Sequence, residues 1–351
     1  MSDGISPPFT AVAHRLCYRY SCSNMTAANG ESRPGIYSTG DIIAGRYQIR
    51  RRVAKGSRAV VYLADDLLSA RDVALKMSMV DKPKTALDIE HEAEHLAAVS
   101  GRCFRRVYDV GRLPEGQAYA ALEWVEGQSL NEVVKQTGIA TVDTLHVTAV
   151  LADALATIHA HGIVHRDIKP QNVLVPIADV PRFTDVKMAD FGLARSTTDH
   201  STASSACVGF GRQAGTPAYM APEQLTGRGQ TTLTDVYGLG ATLFFMLYHR
   251  PPLDVSDLIE VDASLPDGEH LAGILTGQFL LRSLSEDVRI PEDPPYPAPV
   301  REMVALMLRR DPRQRIQSAH EILNRLELCN ASVGGVNVHV GTNLNDHRLP
   351  K

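Results

Sequence analysis

The chain has 351 residues, 44% of them hydrophobic and 22% charged, which fits a folded soluble protein of one large or two medium domains and argues against global disorder. Lys and Arg number 36 against 40 Asp and Glu, a formal net charge of −4, so binding through wholesale phosphate neutralisation is not the leading reading and no nucleic-acid partner is expected. The five cysteines include one close pair, Cys17 and Cys22, with no second Cys or His pair to complete a zinc site, and a reduced interior is favoured over a disulfide scaffold.

Residues 1–40 are rich in Ser, Pro, Gly and Asn and lack the apolar core of a signal peptide, and they read as a flexible N-terminal extension. Short β-rich runs follow at Tyr47–Val53, Val60–Ala64, Val73–Met77, Val107–Val110 and Tyr119–Trp124. One helix interrupts them, opening at Thr85 with Asp88 three residues on and running to about Val99. After Gly127 the texture turns helical. Val147, Val150, Leu151, Ala154, Leu155 and Ile158 recur at helical spacing, and Gly162 stops that helix. Asp235–Tyr248 is apolar nearly all round, as a helix in a domain centre would be. Its charge-free stretch, Val236 to Tyr248, is 13 residues, too short to cross a bilayer; no membrane contact and a cytoplasmic location are expected. Asp254 to Glu269 reads as a solvated acidic insertion, and residues 330–351 as a flexible polar tail. A small β-rich lobe, 41–127, followed by a larger helical lobe, 128–329, predicts an α+β bilobal fold with a ligand cleft between the lobes.

The most informative segment is His165-Arg166-Asp167-Ile168-Lys169-Pro170-Gln171-Asn172. Its five fixed positions recur by chance in about one in three million windows, which makes it a strong motif. Asp190-Phe191-Gly192 and Ala221-Pro222-Glu223 follow, and Val73-Ala74-Leu75-Lys76 stands upstream. This ordered set resembles the eukaryotic-type (Hanks-type) protein kinases, from about Gly45 to Leu328. The opening Arg46-Tyr47, Val61-Tyr62-Leu63-Ala64-Asp65 and Gly215-Thr216-Pro217-Ala218-Tyr219-Met220 look most like the bacterial Ser/Thr kinases. The resemblance implies a protein-kinase-like fold, with ATP and Mg2+ as cofactors and protein Ser/Thr hydroxyls as substrates.

The residues also make chemical sense alone. Phosphoryl transfer asks for positioning and charge neutralisation more than for covalent chemistry. Asp190 and Asn172 would supply oxygen ligands to magnesium. Asp167 would orient the incoming hydroxyl and accept its proton, and Lys169 would reach the γ-phosphate. On a strand, Ala74 and Lys76 point to one side and Val73, Leu75 and Met77 to the other. Glu90, Glu92 and Glu94 compete as the partner of Lys76. Only Glu92 lies on the apolar stripe of its helix, with Ile89 and Leu96, and a carboxylate on an inward face needs a cation.

The phosphate loop departs from the family pattern. Of the expected glycines in Ala54-Lys55-Gly56-Ser57-Arg58-Ala59-Val60-Val61, only Gly56 remains; alanine costs little at negative φ and more at positive φ, and weakened or slower ATP handling, not its loss, is expected. By resemblance, adenine would lie between Val61 and Ala74 on one side and Leu174 on the other. Backbone groups of Glu123 and Val125 would hold its edge, with Leu122 guarding the back. Lys169 and Thr216 follow the Ser/Thr-specific pattern, and Arg166 would pair with a phosphate on the activation segment. Autophosphorylation, with the self-association it needs, is expected there, at Thr202, Ser204 and Ser205 above other hydroxyls. Glu223 with Arg315 resembles the family's buried ion pair, and Asp235 is placed to cap the catalytic-loop backbone. The competing readings are a pseudokinase serving as a nucleotide-binding or scaffold module, supported by the altered glycine loop, and a small-molecule phosphotransferase. The second would lack both Lys169 and the Ala-Pro-Glu segment.

Overall fold

β-branched and aromatic residues in short runs build the first half of the molecule. In the computed structural model, which describes residues 36–56, 58–80, 84–196, 217–227, 229–253 and 282–333, a six-stranded antiparallel sheet forms from β1 (Ile42–Ile43), β2 (Tyr47–Lys55), β3 (Ala59–Asp66), β4 (Arg71–Ser78), β5 (Val107–Arg112) and β6 (Ala118–Glu123). The spatial order is β1-β2-β3-β4-β6-β5. One face carries a core of Tyr47, Ile49, Val60, Tyr62, Ala64, Val73, Leu75, Met77 and Tyr119. Val73, Leu75 and Met77 thus share a face, as the strand period requires, and leave Ala74 and Lys76 on the other. Helix α1 (Lys84–Ala98) packs on β4, β5 and β6 and buries Ile89, Glu92, Ala93 and Leu96. It begins one residue before Thr85, whose hydroxyl accepts from the Met79 amide at 3.1 Å and so fastens the first turn to the end of β4.

The charges beneath this sheet explain its opening motif. Arg46 donates from Nε to Asp66 at 2.7 Å, and the neighbouring Tyr47 hydroxyl donates to Asp109 at 2.7 Å. The Arg46 guanidinium holds the Asp66 carboxyl down at about 2. Arg50, Arg51 and Arg52 are all exposed on β2, with Arg50 bonded to Asp72 at 2.9 Å. Residues 36–100, 104–125 and 190–193 form one compact unit and the other described residues a second, so the boundary falls after Val125, two residues before the expected one.

Helices dominate the second unit. They are α2 (Leu130–Thr137), α3 (Thr141–Ala160), α4 (Pro222–Leu225), α5 (Thr232–Tyr248), α6 (Ala298–Met307) and α7 (Ala319–Ser332). Ser129 and Glu132 close a reciprocal capping box at the start of α2. Helix α3 packs on α5 and α7, and α6 packs on α5 and α7. Helix α3 ends where predicted: Gly162 takes φ 69°, open to glycine at little cost. By length and hydropathy α3 could cross a membrane, a feature hidden in the sequence by Asp143 and Asp153, but 56% of its apolar window is buried, as in a core helix. Helix α5 is buried from Thr234 to Leu247. A Cβ on Gly238 would stand 3.0 Å from the Ile168 carbonyl, so this glycine lets α5 approach the loop 165–172 closely. Short strands complete the unit: β7 (Gly127–Ser129), β9 (Val173–Pro176) and β10 (Lys187–Met188) in one sheet, β8 (Ile163–Val164) and β11 (Arg195–Ser196) in another. Helix α7 continues to Ser332, past the expected start of the tail at 330. The extension 1–35, Cys17, Cys22, Cys207, the segment 254–269 and residues beyond 333 lie outside the described residues.

Arg315 and Glu223 meet as expected. The guanidinium is fully buried and binds both carboxylate oxygens at 2.7 Å, with further bonds to the carbonyls of Arg309, Arg310 and Leu233. Replacing Glu223 with Ala strands this cation, which costs about 3–5 kcal/mol. The expected outcome is a lower urea midpoint in far-UV circular dichroism; an unchanged midpoint would show that the pair contributes nothing.

Candidate active site

In the first unit, Lys76 Nζ lies 2.5 Å from Glu92 Oε2 and 2.9 Å from Asp190 Oδ1. Strand β4 brings the lysine and the inward stripe of α1 brings Glu92, which is 3% exposed. Burial works against the Lys76 ammonium, but the charges of Asp190 and Glu92 overcome it and raise its pKa above the ordinary lysine value, so it stays cationic. Of the competing carboxylates, Glu90 is taken by Arg112 on the surface at 2.5 Å and Glu94 is exposed.

Asp190 is held from a second direction by the Gly192 amide, which donates to Oδ1 at 2.9 Å. A Cβ on Gly192 would fall 3.0 Å from that oxygen, which accounts for the glycine. Phe191 is buried edge-on against Phe104, ring centroids 6.0 Å apart, and its amide points to Glu92 Oε1 at 3.4 Å. Asp190 keeps 42% of its side-chain surface exposed, so its position is fixed while part of the carboxylate faces solvent.

The loop between β2 and β3 closes with the Gly56 amide donating to the Ala59 carbonyl at 2.9 Å. Ala54 pairs with Val61 across the hairpin, and among the described residues the positive-φ residues other than glycine are Ala44, Ala70, Arg166 and His249. Ala54 and Ala59 therefore occupy ordinary extended backbone, and the missing glycines cost no strain there. Ala74 stands opposite Leu122 in register, both buried. Val61, Glu123 and Val125 are half-buried. The Glu123 carbonyl is already engaged: Arg105 donates to it from Nε at 3.0 Å and from a terminal nitrogen at 2.7 Å.

The second unit carries the loop 165–172. Asp235, buried at the start of α5, accepts the amides of His165 at 2.8 Å and Arg166 at 2.7 Å, so one carboxylate fixes two successive peptides. Gln224 donates to the Arg166 carbonyl at 2.8 Å, a support that sequence reading missed because its neighbours Pro222 and Glu223 carry the motif. Arg166 takes φ 66°, a left-handed turn in a non-glycine residue, held by these bonds on both sides. Past that turn, Lys169 Nζ binds both oxygens of Asp167 at 2.9 and 2.8 Å. Asn172 Nδ2 donates to the Asp167 carbonyl at 2.9 Å and to its Oδ2 at 2.8 Å. Lys169 thus rests on Asp167, not reaching outward, and the Asn172 amide nitrogen is spent inside the loop, which turns its oxygen into the ligand it can offer. Leu174 follows on β9, half-buried. Thr202, Ser204, Ser205 and Thr216 lie outside the described residues.

The Asp190 carboxylate in the first unit and the Asn172 carboxamide oxygen in the second are each hard donors of the kind a divalent cation such as magnesium takes. Among the described residues no group of three or more His, Cys, Asp or Glu forms a ready metal cage.

The first unit thus carries a buried lysine–glutamate pair with a glycine-backed aspartate, and the second an Asp-Lys-Asn loop anchored by an aspartate, the residue types that the protein kinase motifs fix. A family model described as a protein kinase domain matches residues 47–326, and the chain belongs to that family. It is 29% identical over 309 residues to the serine/threonine-protein kinase pkn2 of Myxococcus xanthus, covering 86% of this chain and 34% of the relative. It is 34% identical over 219 residues to PknB of Mycolicibacterium smegmatis, covering 60% and 33%. With PrkC of Bacillus subtilis the identity is 31% over 226 residues, 63% and 33% of the two chains. The chain spans about a third of the length of these relatives. ATP and a divalent metal are the general requirements of the family.

Replacing Glu92 with Gln removes one charge-assisted bond from Lys76, worth about 1.5–3 kcal/mol. Phosphate transfer is expected to fall roughly 10- to 100-fold, with the melting temperature little changed, in a radiolabelled ATP assay. Full activity would show that the pair does not position the lysine.

Proposed function

We propose that this chain transfers the γ-phosphate of ATP to Ser or Thr hydroxyls of proteins. The observation that carries the reading is Lys76 bonded at once to Glu92 and Asp190, residues 16 and 114 positions away. Such a cluster neutralises and orients phosphate oxygens, and a purely architectural ion pair would not need a half-exposed third member.

In this reading Lys76, held by Glu92, binds the non-transferred phosphates. Asp167 accepts the proton of the substrate hydroxyl as its oxygen bonds to the γ-phosphorus and the bond to the ADP oxygen breaks. Lys169, resting on Asp167, turns to the transferred phosphoryl group and offsets its charge. Asp190 and the Asn172 oxygen would hold Mg2+, which supplies charge neutralisation across the phosphates. The Asp235 and Gln224 bonds keep the loop in place, so little reorganisation accompanies the reaction. Val61, Ala74, Leu122 and Leu174 supply apolar surface for the base.

The same reading extends to control and setting. Arg166 would receive a phosphate placed by autophosphorylation on Thr202, Ser204 or Ser205, which calls for a transient meeting of two copies. Composition and net charge support a cytoplasmic protein that engages neither nucleic acid nor membrane.

Wild-type protein is expected to label a generic Ser/Thr substrate with Mg-ATP, and Asp167→Asn and Asp190→Asn to lose about 10²- to 10⁴-fold of that rate. Equal incorporation by all three would sink the assignment. In addition, phosphate-free wild-type protein is expected to gain phosphate in multiples on intact-mass analysis after Mg-ATP, with the sites mapping to 196–205. No mass gain would count against self-modification.

A further inference from the structure

Arg105 is the unusual charge of the first unit. It is 7% exposed, and it lies at the entry to β5 between the buried Phe104 and the exposed Arg106. Burying a guanidinium is costly unless its donors are met. Here the cost is met partly by the charges of Glu92, Glu123 and Asp190, and partly by one backbone oxygen. Burial still lowers its pKa from the ordinary arginine value. No helix stripe or strand alternation announces an inward arginine in Phe104-Arg105-Arg106-Val107.

The oxygen it has chosen is the Glu123 carbonyl, with N···O distances of 3.0 and 2.7 Å. A carbonyl has two lone pairs, and two donors fill both. The other polar groups of Glu123 turn the same way: its amide donates to the Arg106 carbonyl at 2.8 Å, and its Oε2 accepts the Arg106 amide at 3.1 Å. Resting on the proposed nucleotide site, in which Glu123 borders the edge of the base, this has a chemical consequence. The exocyclic amine of adenine needs an acceptor there and meets one already saturated by a cation. A 6-oxo purine makes no such demand of that carbonyl, and its oxygen is not repelled by a guanidinium; its N1–H asks for an acceptor, which would be the backbone carbonyl of Val125.

We propose that Arg105 is a base-specificity residue: by saturating the Glu123 carbonyl it withdraws the acceptor that would select a 6-amino purine, so the protein uses 6-oxo purine triphosphates such as GTP nearly as well as ATP. The residue does not touch the reacting phosphates. It acts through Glu123, and its effect falls on base affinity.

The test compares full-length wild type, Arg105→Met and Arg105→Lys, each with Mg-ATP and Mg-GTP. Steady-state phosphate transfer is read beside displacement of a fluorescent ADP analogue by ADP and by GDP. Exchange of a buried charge for an apolar chain of similar length is often neutral or stabilising, and the lysine variant keeps the charge while reducing the donors on the carbonyl. Wild type is expected to prefer ATP over GTP by less than about tenfold. Arg105→Met is expected to tighten ATP and ADP by about 3- to 10-fold, the span of one neutral hydrogen bond, through KM and not kcat, with GTP and GDP little changed. Arg105→Lys should fall between the two. The same ATP-to-GTP ratio in all three proteins, or parallel loss for both nucleotides in Arg105→Met, would overturn the proposal. Nucleotide displacement with the expected base pattern but without transfer to any hydroxyl would uphold Arg105 and sink the kinase activity instead. Displacement by neither nucleotide would overturn both.

Discussion

The ammonium of Lys76 is the constraint on which the candidate site is built. It sits under the sheet, 12% exposed, and a cation so placed is tolerated only with carboxylates in contact. Glu92 satisfies it from helix α1 and Asp190 from a segment far along the chain. The pairing has structural reach. It fixes which face of α1 turns inward, and it draws residues 190–193 into the first unit, where Gly192 and Phe191 lock them. Charge that must be neutralised in the interior is used here to place a carboxylate that remains partly open to solvent.

A related principle organises the second unit. Its loop 165–172 has little regular structure of its own, so its backbone donors and acceptors must find partners elsewhere. Asp235 takes two of its amides and Gln224 one of its carbonyls. Gly238 removes the side chain that would hold α5 away from Ile168. These bonds stabilise the left-handed turn at Arg166, after which Asp167, Lys169 and Asn172 form a closed group of hydrogen bonds. Arg315 and Glu223 then tie α4 and the start of α5 to the segment before α7, with Thr234 also bonded to Glu223 at 3.0 Å. The loop is stiff because its supports are buried carboxylates and amides on helices.

The altered phosphate loop and the buried Arg105 have opposite meanings once the backbone is known. Ala54 and Ala59 replace glycines, yet both lie in extended hairpin residues where a methyl group causes no strain. Arg105 looks unremarkable in the sequence, yet its guanidinium sits against a carbonyl that borders the proposed base site. A missing glycine matters where φ must be positive or where a neighbour stands too close for a Cβ, whereas a buried charge always acts on its neighbours.

The sequence by itself determined the elements whose signals are periodic or local. It marked the alternation in β4 that separates Lys76 from Leu75, the inward position of Glu92 between Ile89 and Leu96, the stop at Gly162 and the wholly buried α5. It also marked Asp167, Lys169, Asn172 and Asp190, because a catalytic group needs fixed residue types at fixed spacing. Only the tertiary structure decided that Lys169 rests on Asp167, that Gln224 supports Arg166, that α7 runs to Ser332 and that Arg105 turns inward to Glu123. Those contacts join residues that no helical or strand period relates. A side chain with several long rotatable bonds carries no local signal of its direction; it turns toward whichever buried oxygen the finished fold leaves within its reach.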